Sequence, residues 1–175
     1  MSRIHGFPPV VGKQPVVLIL GSMPSVASLE HKQYYAKPQN AFWRIMGALF
    51  DAGPGLDYAE RMARLIDARI ALWDVLASCI RPGSLDAAID MTSVQVNDLP
   101  RLVQDYPTIE AVFFNGRKAE QMYRRWAHAE VRSIKPDLSL HGLPSTSPAM
   151  ATLNFEAKLA RWGIVKDAVE DGPKR

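Results

Sequence analysis

A group of side chains suited to a flat, hydrogen-bonding ligand follows the first apolar segment of the chain. Residues 16–20 read VVLIL and end at Gly21, and residues 34–43 then carry rings, an amide and a lysine in the segment YYAKPQNAFW. Aromatic rings stack on planar ligands, while an amide both donates and accepts hydrogen bonds. These residue types predict a site built from rings and neutral polar groups.

A second polar group lies near the end of the chain, where Ser145, Thr146 and Ser147 stand between two prolines. Their hydroxyl and backbone N–H groups are suited to holding a phosphate, although a turn that caps the last helix would use the same residues. Asp74 interrupts an apolar run and needs a partner or a function, because burying an unpaired charge is costly. Asn115 ends another apolar run, where turn chemistry is an alternative explanation.

The sequence lacks the motifs of several common enzyme classes. It contains no GxxxxGK[ST], GxGxxG or GxSxG motif, and its four histidines lack the spacing of a metal site. The single cysteine, Cys79, excludes an intrachain disulfide and a four-cysteine zinc or iron–sulfur site. We therefore expect neither a metal nor an organic cofactor.

Composition places the chain among ordinary globular proteins. Its formal net charge is +3 and its pI about 9.1, which is compatible with a polyanionic partner without requiring one. No apolar run approaches the length of a membrane span, and the first ten residues lack the apolar core of a signal peptide. We expect a cytoplasmic protein that contacts no membrane and acts as a monomer.

Apolar strands and amphipathic helices alternate along the sequence, which predicts a parallel sheet covered on both faces. The expected strands cover residues 16–20, 69–80, 109–114 and 138–143. The expected helices cover residues 40–50, 58–68, 97–106, 118–126 and 154–169, with Asn40 as the N-cap of the first. The chain is thus one α/β domain, residues 1–175, with a lead-in arm (1–14) and a flexible tail (171–175). The loops after the first and fourth strands should open at the same edge of the sheet.

Five segments in order, GSMPS, YYAKPQNAFWR, ALWDVLASC, VFFNGRKA and LPSTSPA, resemble the uracil-DNA glycosylase superfamily, most closely its hypoxanthine-DNA glycosylase branch. The resemblance covers nearly the whole chain. It implies a three-layer α/β/α sandwich around a four-stranded parallel sheet. It also implies a repair enzyme that hydrolyses the N-glycosidic bond of a deaminated base in DNA, foremost hypoxanthine, and leaves an abasic site.

The resemblance also transfers roles to particular positions. In the hypoxanthine branch the asparagine of the PxNAFW segment is catalytic, and that position is Asn40. Met23 stands where the uracil branch has a water-orienting aspartate and the mismatch-specific branch an asparagine. Leu143 stands where the uracil branch has a histidine that stabilises the departing uracil anion. Both departures argue against efficient removal of uracil by the usual route.

The expected mechanism begins with extrusion of the target base from the duplex into a pocket. Ser22 and Met23 would form the pocket floor, Gly21 and Pro24 beside them would also contact the substrate, and Phe42 would stack on the base. Asn40 would position a water below the sugar carbon or stabilise the oxocarbenium-like sugar with its carbonyl dipole. The remaining site residues are expected to read the base edge (Asp74, Asn115) or to bind flanking phosphates (Lys37, Arg81, Ser145, Thr146, Ser147).

Three other functions stay open at this point. The first is a glycosylase of the same superfamily that acts on uracil or xanthine. The second is a DNA-binding module that has lost catalysis, which the residues at positions 23 and 143 make conceivable. The third is an ester hydrolase with Ser22 as nucleophile, for which His141 would be the nearest candidate base.

Overall fold

Seven strands and seven helices make up residues 2–173, the part of the chain that this computed structural model describes. In chain order they are β1 (Arg3–His5), β2 (Val17–Gly21), α1 (Val26–His31), α2 (Phe42–Phe50), α3 (Tyr58–Asp67), β3 (Ile70–Asp74), β4 (Leu76–Ile80), β5 (Asp90–Val96), α4 (Leu99–Asp105), β6 (Ala111–Asn115), α5 (Arg117–Trp126), α6 (His128–Ile134), β7 (Ser139–Leu143) and α7 (Phe155–Asp171). A short 3-10 turn covers Asp86–Ala88. None of the described helices is long and apolar enough to cross a membrane.

The central sheet contains four parallel strands in the order β3-β2-β6-β7. Every residue of β2 and β6 is buried, as expected for strands that helices cover on both faces. The predicted four-stranded parallel sheet is confirmed.

The alternation of side chains along β2 divides the core into two layers. Val17 and Ile19 pack with residues of α2, α3 and α7, whereas Leu18 and Leu20 pack with residues of α4, α5 and α6. The result is the predicted α/β/α sandwich. Helices pack on both faces of the sheet and hold the strand ends in place. The loops that follow the strands are therefore anchored at a well-packed edge.

The expected single strand over residues 69–80 is two strands in two different sheets. β3 ends at Asp74, and β4 begins after the buried Val75 and joins an antiparallel sheet of order β1-β4-β5. The Val75 N–H donates to the carbonyl of Gly21 (2.8 Å), so the chain turns against the loop after β2. The prediction was wrong because both halves of the run are largely apolar and buried, and the one polar residue at the break, Asp74, does not by itself distinguish a strand end from a strand interior.

The elements that the sequence did not predict are short or only half-buried. β1 lies within the expected lead-in arm and pairs with β4, while β5 buries none of its residues fully. α1 and α6 have six and seven residues, too few for a clear helical period. Of the expected flexible tail, Asp171 is the last residue of α7, and Lys174 and Arg175 lie outside the described residues.

The carboxyl ends of the four parallel strands meet at one edge. Gly21 of β2 is in register with Asp74 of β3, and Asn115 of β6 with Leu143 of β7. The loops GSMPS and LPSTSP therefore leave the same edge, as predicted. This edge is where ligands bind in open parallel sheets.

Candidate active site

A cavity of about 430 Å³ opens at this edge, within the usual size range of small-molecule sites. Ten of the residues that the sequence predicts for the site line it, namely Gly21, Ser22, Met23, Pro24, Asn40, Asp74, Asn115, Ser145, Thr146 and Ser147. Phe42, Lys37 and Arg81 are not among the lining residues. The fold therefore gathers most of the predicted site into one cavity.

Asn40 is held at the cavity by hydrogen bonds on both sides. Its Oδ1 accepts a hydrogen bond from the Phe42 N–H (2.9 Å), and the Ala41 N–H donates to the Thr146 carbonyl (3.0 Å). α2 begins at Phe42, two residues later than predicted, with Ala41 in the cap position. Oδ1 keeps a second lone pair, and no described residue accepts from Nδ2, so the amide can still bind a ligand.

Tyr34 and Tyr35 line the cavity, and Phe42 does not. Phe42 is fully buried and stacks on Tyr35, with ring centroids 4.1 Å apart. The expectation that Phe42 stacks on a base is therefore wrong, because α2 turns its side chain into the core, where Tyr35 covers it. Tyr35 lines the cavity and has a φ of 54°, a left-handed conformation that is uncommon for a bulky residue.

The Tyr35 hydroxyl is buried and has no hydrogen-bond partner of normal geometry. Burial and the nearby Asp74 raise the pKa of Tyr35, an effect that the neighbouring Asn115 amide only partly offsets. The phenol is consequently neutral at physiological pH. It offers the cavity one unused O–H donor.

Asp74 places a buried carboxyl in the cavity wall. The residue is 4% exposed, and its Oδ2 has no hydrogen-bond partner among residues 2–173. Burial and the nearby Asp86 raise the pKa of Asp74 to about 7, against the opposing effect of Arg81. A large fraction of the molecules thus carries a neutral carboxyl at neutral pH, which can donate through O–H and accept through C=O.

Asp86 is a cavity residue that the sequence analysis missed. Its Oδ1 accepts a hydrogen bond from the Ser22 hydroxyl (2.6 Å), which ties the 3-10 turn to the loop after β2. Leu85, 60% exposed, lies beside it at the cavity. No local motif marks this turn, because its place in the site depends on contacts with residues about sixty positions earlier.

Asn115 fixes the LPSTSP loop to the sheet. Its Oδ1 accepts from the Thr146 N–H (2.9 Å), and its Nδ2 donates to the Thr146 hydroxyl (3.0 Å). Both ends of the amide are thus engaged with a buried residue. Asn115 also lines the cavity and keeps one Nδ2 hydrogen and one Oδ1 lone pair, so its contact with a base edge stays a prediction. The Thr146 side chain is buried and is not presented to solvent as a phosphate ligand.

Arg81 does not face solvent as predicted. It is 4% exposed, its Nη2 donates to the Pro24 carbonyl (2.6 Å), and its Nε donates to the Gly83 carbonyl (2.7 Å). The prediction of a phosphate contact is wrong for this residue because the arginine joins two loops beneath the surface. Lys37 is exposed, and its contact with DNA stays a prediction.

Ser145 and Ser147 form a hydrogen-bonded turn at the cavity. The Ser145 hydroxyl accepts from the Ser147 N–H (3.1 Å), and the Ser147 hydroxyl accepts from the Ala149 N–H (3.2 Å). Both hydroxyl hydrogens remain able to donate, since each oxygen is used here only as an acceptor. The turn and the phosphate contact are therefore compatible.

The arrangement does not support an ester hydrolase. Ser22 donates to a carboxylate, and His141 stacks on Phe113 (centroids 4.8 Å apart) without lining the cavity. No histidine is among the described residues of the cavity wall. A serine nucleophile without an adjacent base lacks the activation that acyl transfer requires.

Gly21→Ala should close part of the cavity floor. A Cβ on Gly21 would stand 2.5 Å from Asp74 Oδ1 and 2.8 Å from the Tyr35 hydroxyl, so both polar groups would have to move. We expect a loss of about 1–3 kcal/mol in the free energy of unfolding and a larger proportional loss of activity. Urea denaturation with a parallel activity assay measures both. The control is Gly55→Ala, where a Cβ meets no atom within 4 Å; equal losses in the two variants would contradict the prediction.

The fold and the cavity place the chain among the α/β proteins whose candidate site lies at the carboxyl edge of a parallel sheet. The chain matches the family model of the uracil DNA glycosylase superfamily over residues 8–166, and it belongs to that superfamily.

Similar proteins agree with this membership. Two are named hypoxanthine DNA glycosylase, from Methanosarcina acetivorans (39% identical) and Methanosarcina barkeri (36% identical). Each match spans 116 residues, 66% of this chain and 72% of the relative. The solution NMR structure of a uracil DNA glycosylase candidate from Methanosarcina acetivorans superimposes with a TM-score of 0.78 at 31% identity, covering 97% of this chain and 99% of that one. The resemblance identified in the sequence is confirmed.

Proposed function

We propose that this protein is a monofunctional DNA glycosylase that removes hypoxanthine from DNA containing deoxyinosine and leaves an abasic site. Two relatives carry the name of that activity. One structural observation carries the proposal: Asn40 and the protonatable Asp74 face the same base-sized cavity. We further propose that the enzyme acts on DNA as a monomer in the cytoplasm.

The base enters the cavity after extrusion from the duplex, since the N-glycosidic bond is inaccessible within the stack. The Tyr35 ring lies along the cavity, and we assign it the stacking contact that the sequence had placed on Phe42. Ser22, Met23 and Pro24 form the surface opposite the loop after β7. The lesion is thereby held between the two loops that leave the sheet edge.

Asn40 acts on the sugar. Its carbonyl oxygen is oriented by the Phe42 N–H and has one free lone pair, which can position a water beside the anomeric carbon. The same dipole stabilises positive charge that develops on the sugar as the bond breaks. An amide cannot remove a proton near neutral pH, so its contribution is positioning and preorganised electrostatics.

Asp74 acts on the departing base. When the bond between C1′ and N9 breaks, its electron pair stays on the purine, and a proton donated to a ring nitrogen or to O6 stabilises that charge. The neutral form of Asp74 has such a proton and is well populated near pH 7. The water oxygen forms the new bond to C1′, and its proton leaves to solvent.

The decisive experiment is an assay of the purified protein on duplexes that contain deoxyinosine, deoxyuridine or deoxyxanthosine, followed by alkaline cleavage of abasic sites. We expect cleavage of the deoxyinosine strand to be fastest. Faster cleavage at uracil or xanthine would assign the same fold to another lesion. Tight binding with no abasic product in any duplex would show that the protein binds DNA without catalysing base release.

A further inference from the structure

Lys158 is a buried lysine that pairs with no carboxylate among residues 2–173. It lies on α7 and is 5% exposed, and its Nζ donates to the Ser147 carbonyl (3.2 Å). Lysine is seldom buried unless its charge is paired. The two ion pairs found among residues 2–173, Arg101–Asp105 and Arg124–Glu120, do not include it.

A second cation stands near Lys158. The guanidinium of Arg44, on α2, lies 4.5 Å from the ring centroid of Phe155 at the start of α7, and it also forms no ion pair with a described residue. Burial, and secondarily Arg44, lower the pKa of Lys158. Packing of α2 against α7 thus holds two positive charges together, which is unfavourable unless an anion lies between them.

The position of this pair suggests the anion. Ser147, whose carbonyl accepts from Lys158, lies in the cavity wall, and Ala149 and Met150 continue that wall. A DNA strand whose base occupies the cavity has to cross the rim of the cavity, and Ser147, Ala149 and Met150 form one part of that rim. Arg44 is exposed and offers a planar fork of N–H donors that suits a phosphate, while Lys158 adds charge from beneath.

We propose that Arg44 and Lys158 together bind one backbone phosphate of the DNA strand that carries the extruded base. The proposal rests on the proposed glycosylase function, because it requires DNA at this rim. It extends the predicted phosphate contact of the LPSTSP loop to Arg44 of α2 and Lys158 of α7, two residues that the sequence analysis did not include in the site.

The test is the salt dependence of DNA binding in Lys158→Met, Arg44→Met and the double variant. Methionine keeps much of the apolar stem and removes the charge. The probe is a duplex with 2′-fluoro-deoxyinosine, in which the fluorine slows cleavage of the N-glycosidic bond. Kd is measured at KCl concentrations from about 50 to about 300 mM, a range wide enough to determine the slope. Neutralising one phosphate contributes about 0.9 to the slope of log Kd against log salt.

We expect each single variant to lower this slope by no more than about 0.9, and the double variant to lower it by about 0.9 in total, because both cations serve one phosphate. In the double variant, Kd at 100 mM KCl should rise roughly tenfold. The control Arg161→Met removes an exposed cation three residues along α7 and should leave the slope unchanged.

Three outcomes would overturn the proposal: unchanged slopes, a slope loss in the double variant of about 1.8 (two separate phosphates), or an effect confined to Lys158→Met. The last would mean that Lys158 only supports the loop through Ser147. Arg44→Met makes no change to that hydrogen bond and so separates the two explanations. Absence of deoxyinosine cleavage by the unmodified protein would instead overturn the proposed function.

Discussion

Asn40→Ala is expected to lower the rate of hypoxanthine release at least about 100-fold while leaving the affinity for a deoxyinosine duplex within a few-fold of the original. The variant loses the oriented carbonyl oxygen, and removal of one preorganised polar group from a reacting centre costs on the order of 10²–10³ in rate. Binding survives because the stacking and phosphate contacts come from other residues. Single-turnover cleavage and fluorescence anisotropy measure the two quantities separately.

The matched control for this variant is Asn154→Ala. Asn154 is the N-cap of α7, and its Oδ1 accepts from the Ala157 N–H at 2.9 Å, the same kind of bond that Asn40 makes with Phe42. Loss of such a bond costs about 1 kcal/mol of stability in either place. Only the Asn40 variant should lose base release. Comparable activity loss in both would show that Asn40 serves the fold alone.

Asn40→Asp distinguishes the two halves of the amide. A carboxylate keeps an acceptor for the Phe42 N–H and for a water, but it has no N–H donors. If the carbonyl oxygen positions the water, the aspartate variant should retain far more activity than the alanine variant. Equal inactivity of the two would mean that Nδ2, which no described residue accepts from, provides the essential contact.

The sequence predicted best those features that depend on neighbouring residues. The continuous apolar runs of β2 and β6 predict strands buried on both faces, and every residue of both strands is buried. Parallel strands place their carboxyl ends together, so the loops after β2 and β7 could be assigned to one edge. Local composition and one topological rule therefore sufficed for the sheet and for most of the cavity wall.

The missed features depend on contacts between distant parts of the chain. The positive charge of Arg81 suits a contact with a DNA phosphate, yet its guanidinium donates to the Pro24 carbonyl, 57 residues earlier in the chain. The strand is interrupted at Val75 because the Val75 N–H donates to the Gly21 carbonyl, where the chain turns from one sheet to the other. Neither contact leaves a trace in the residues beside it.

The exchange of Phe42 for Tyr35 has a different cause. Helical spacing places Phe42 on the apolar face of α2, which predicts that its ring packs in the core. A ring close to Asn40 could equally stack on a bound base, so the sequence alone left both roles open. The choice depends on the backbone at Tyr35, whose positive φ turns that ring over Phe42 and toward the cavity. A single left-handed residue cannot be read from a sequence in which no glycine marks it.

Asp74→Asn is expected to stabilise the protein above neutral pH. The folded state raises the pKa of Asp74 from 3.8 to about 7, so between these values the folded state binds more protons than the unfolded state. The free energy of unfolding of the unmodified protein should therefore fall as pH rises from about 4 to 7, and then level off. At about 1.4 kcal/mol per pKa unit, the asparagine variant gains up to about 4 kcal/mol at pH 8 and little near pH 4.

Urea denaturation at several pH values measures this difference, and Asp90→Asn is its control with the opposite sign. Hydrogen bonds from Thr92 lower the pKa of the exposed Asp90, so that carboxylate stabilises the fold above its ordinary pKa. Its removal should weaken the protein slightly at pH 8 and not at low pH. If Asp74→Asn also weakens the protein at pH 8, then Asp74 is an ionised, well-paired carboxylate in the fold.

The same substitution should lower activity in a pH-dependent way. In the unmodified protein, base release should decline as pH rises through about 7, because the proton that Asp74 gives to the departing purine is lost. Asparagine keeps the shape and a hydrogen-bond donor but cannot transfer a proton, so its lower rate should show no such decline. If Asp74→Asn is more stable but slower than the unmodified protein, the buried carboxyl of Asp74 destabilises the fold and serves the reaction. A pH-independent rate in the unmodified protein would remove Asp74 from the reaction and leave Asn40 as its only assigned group.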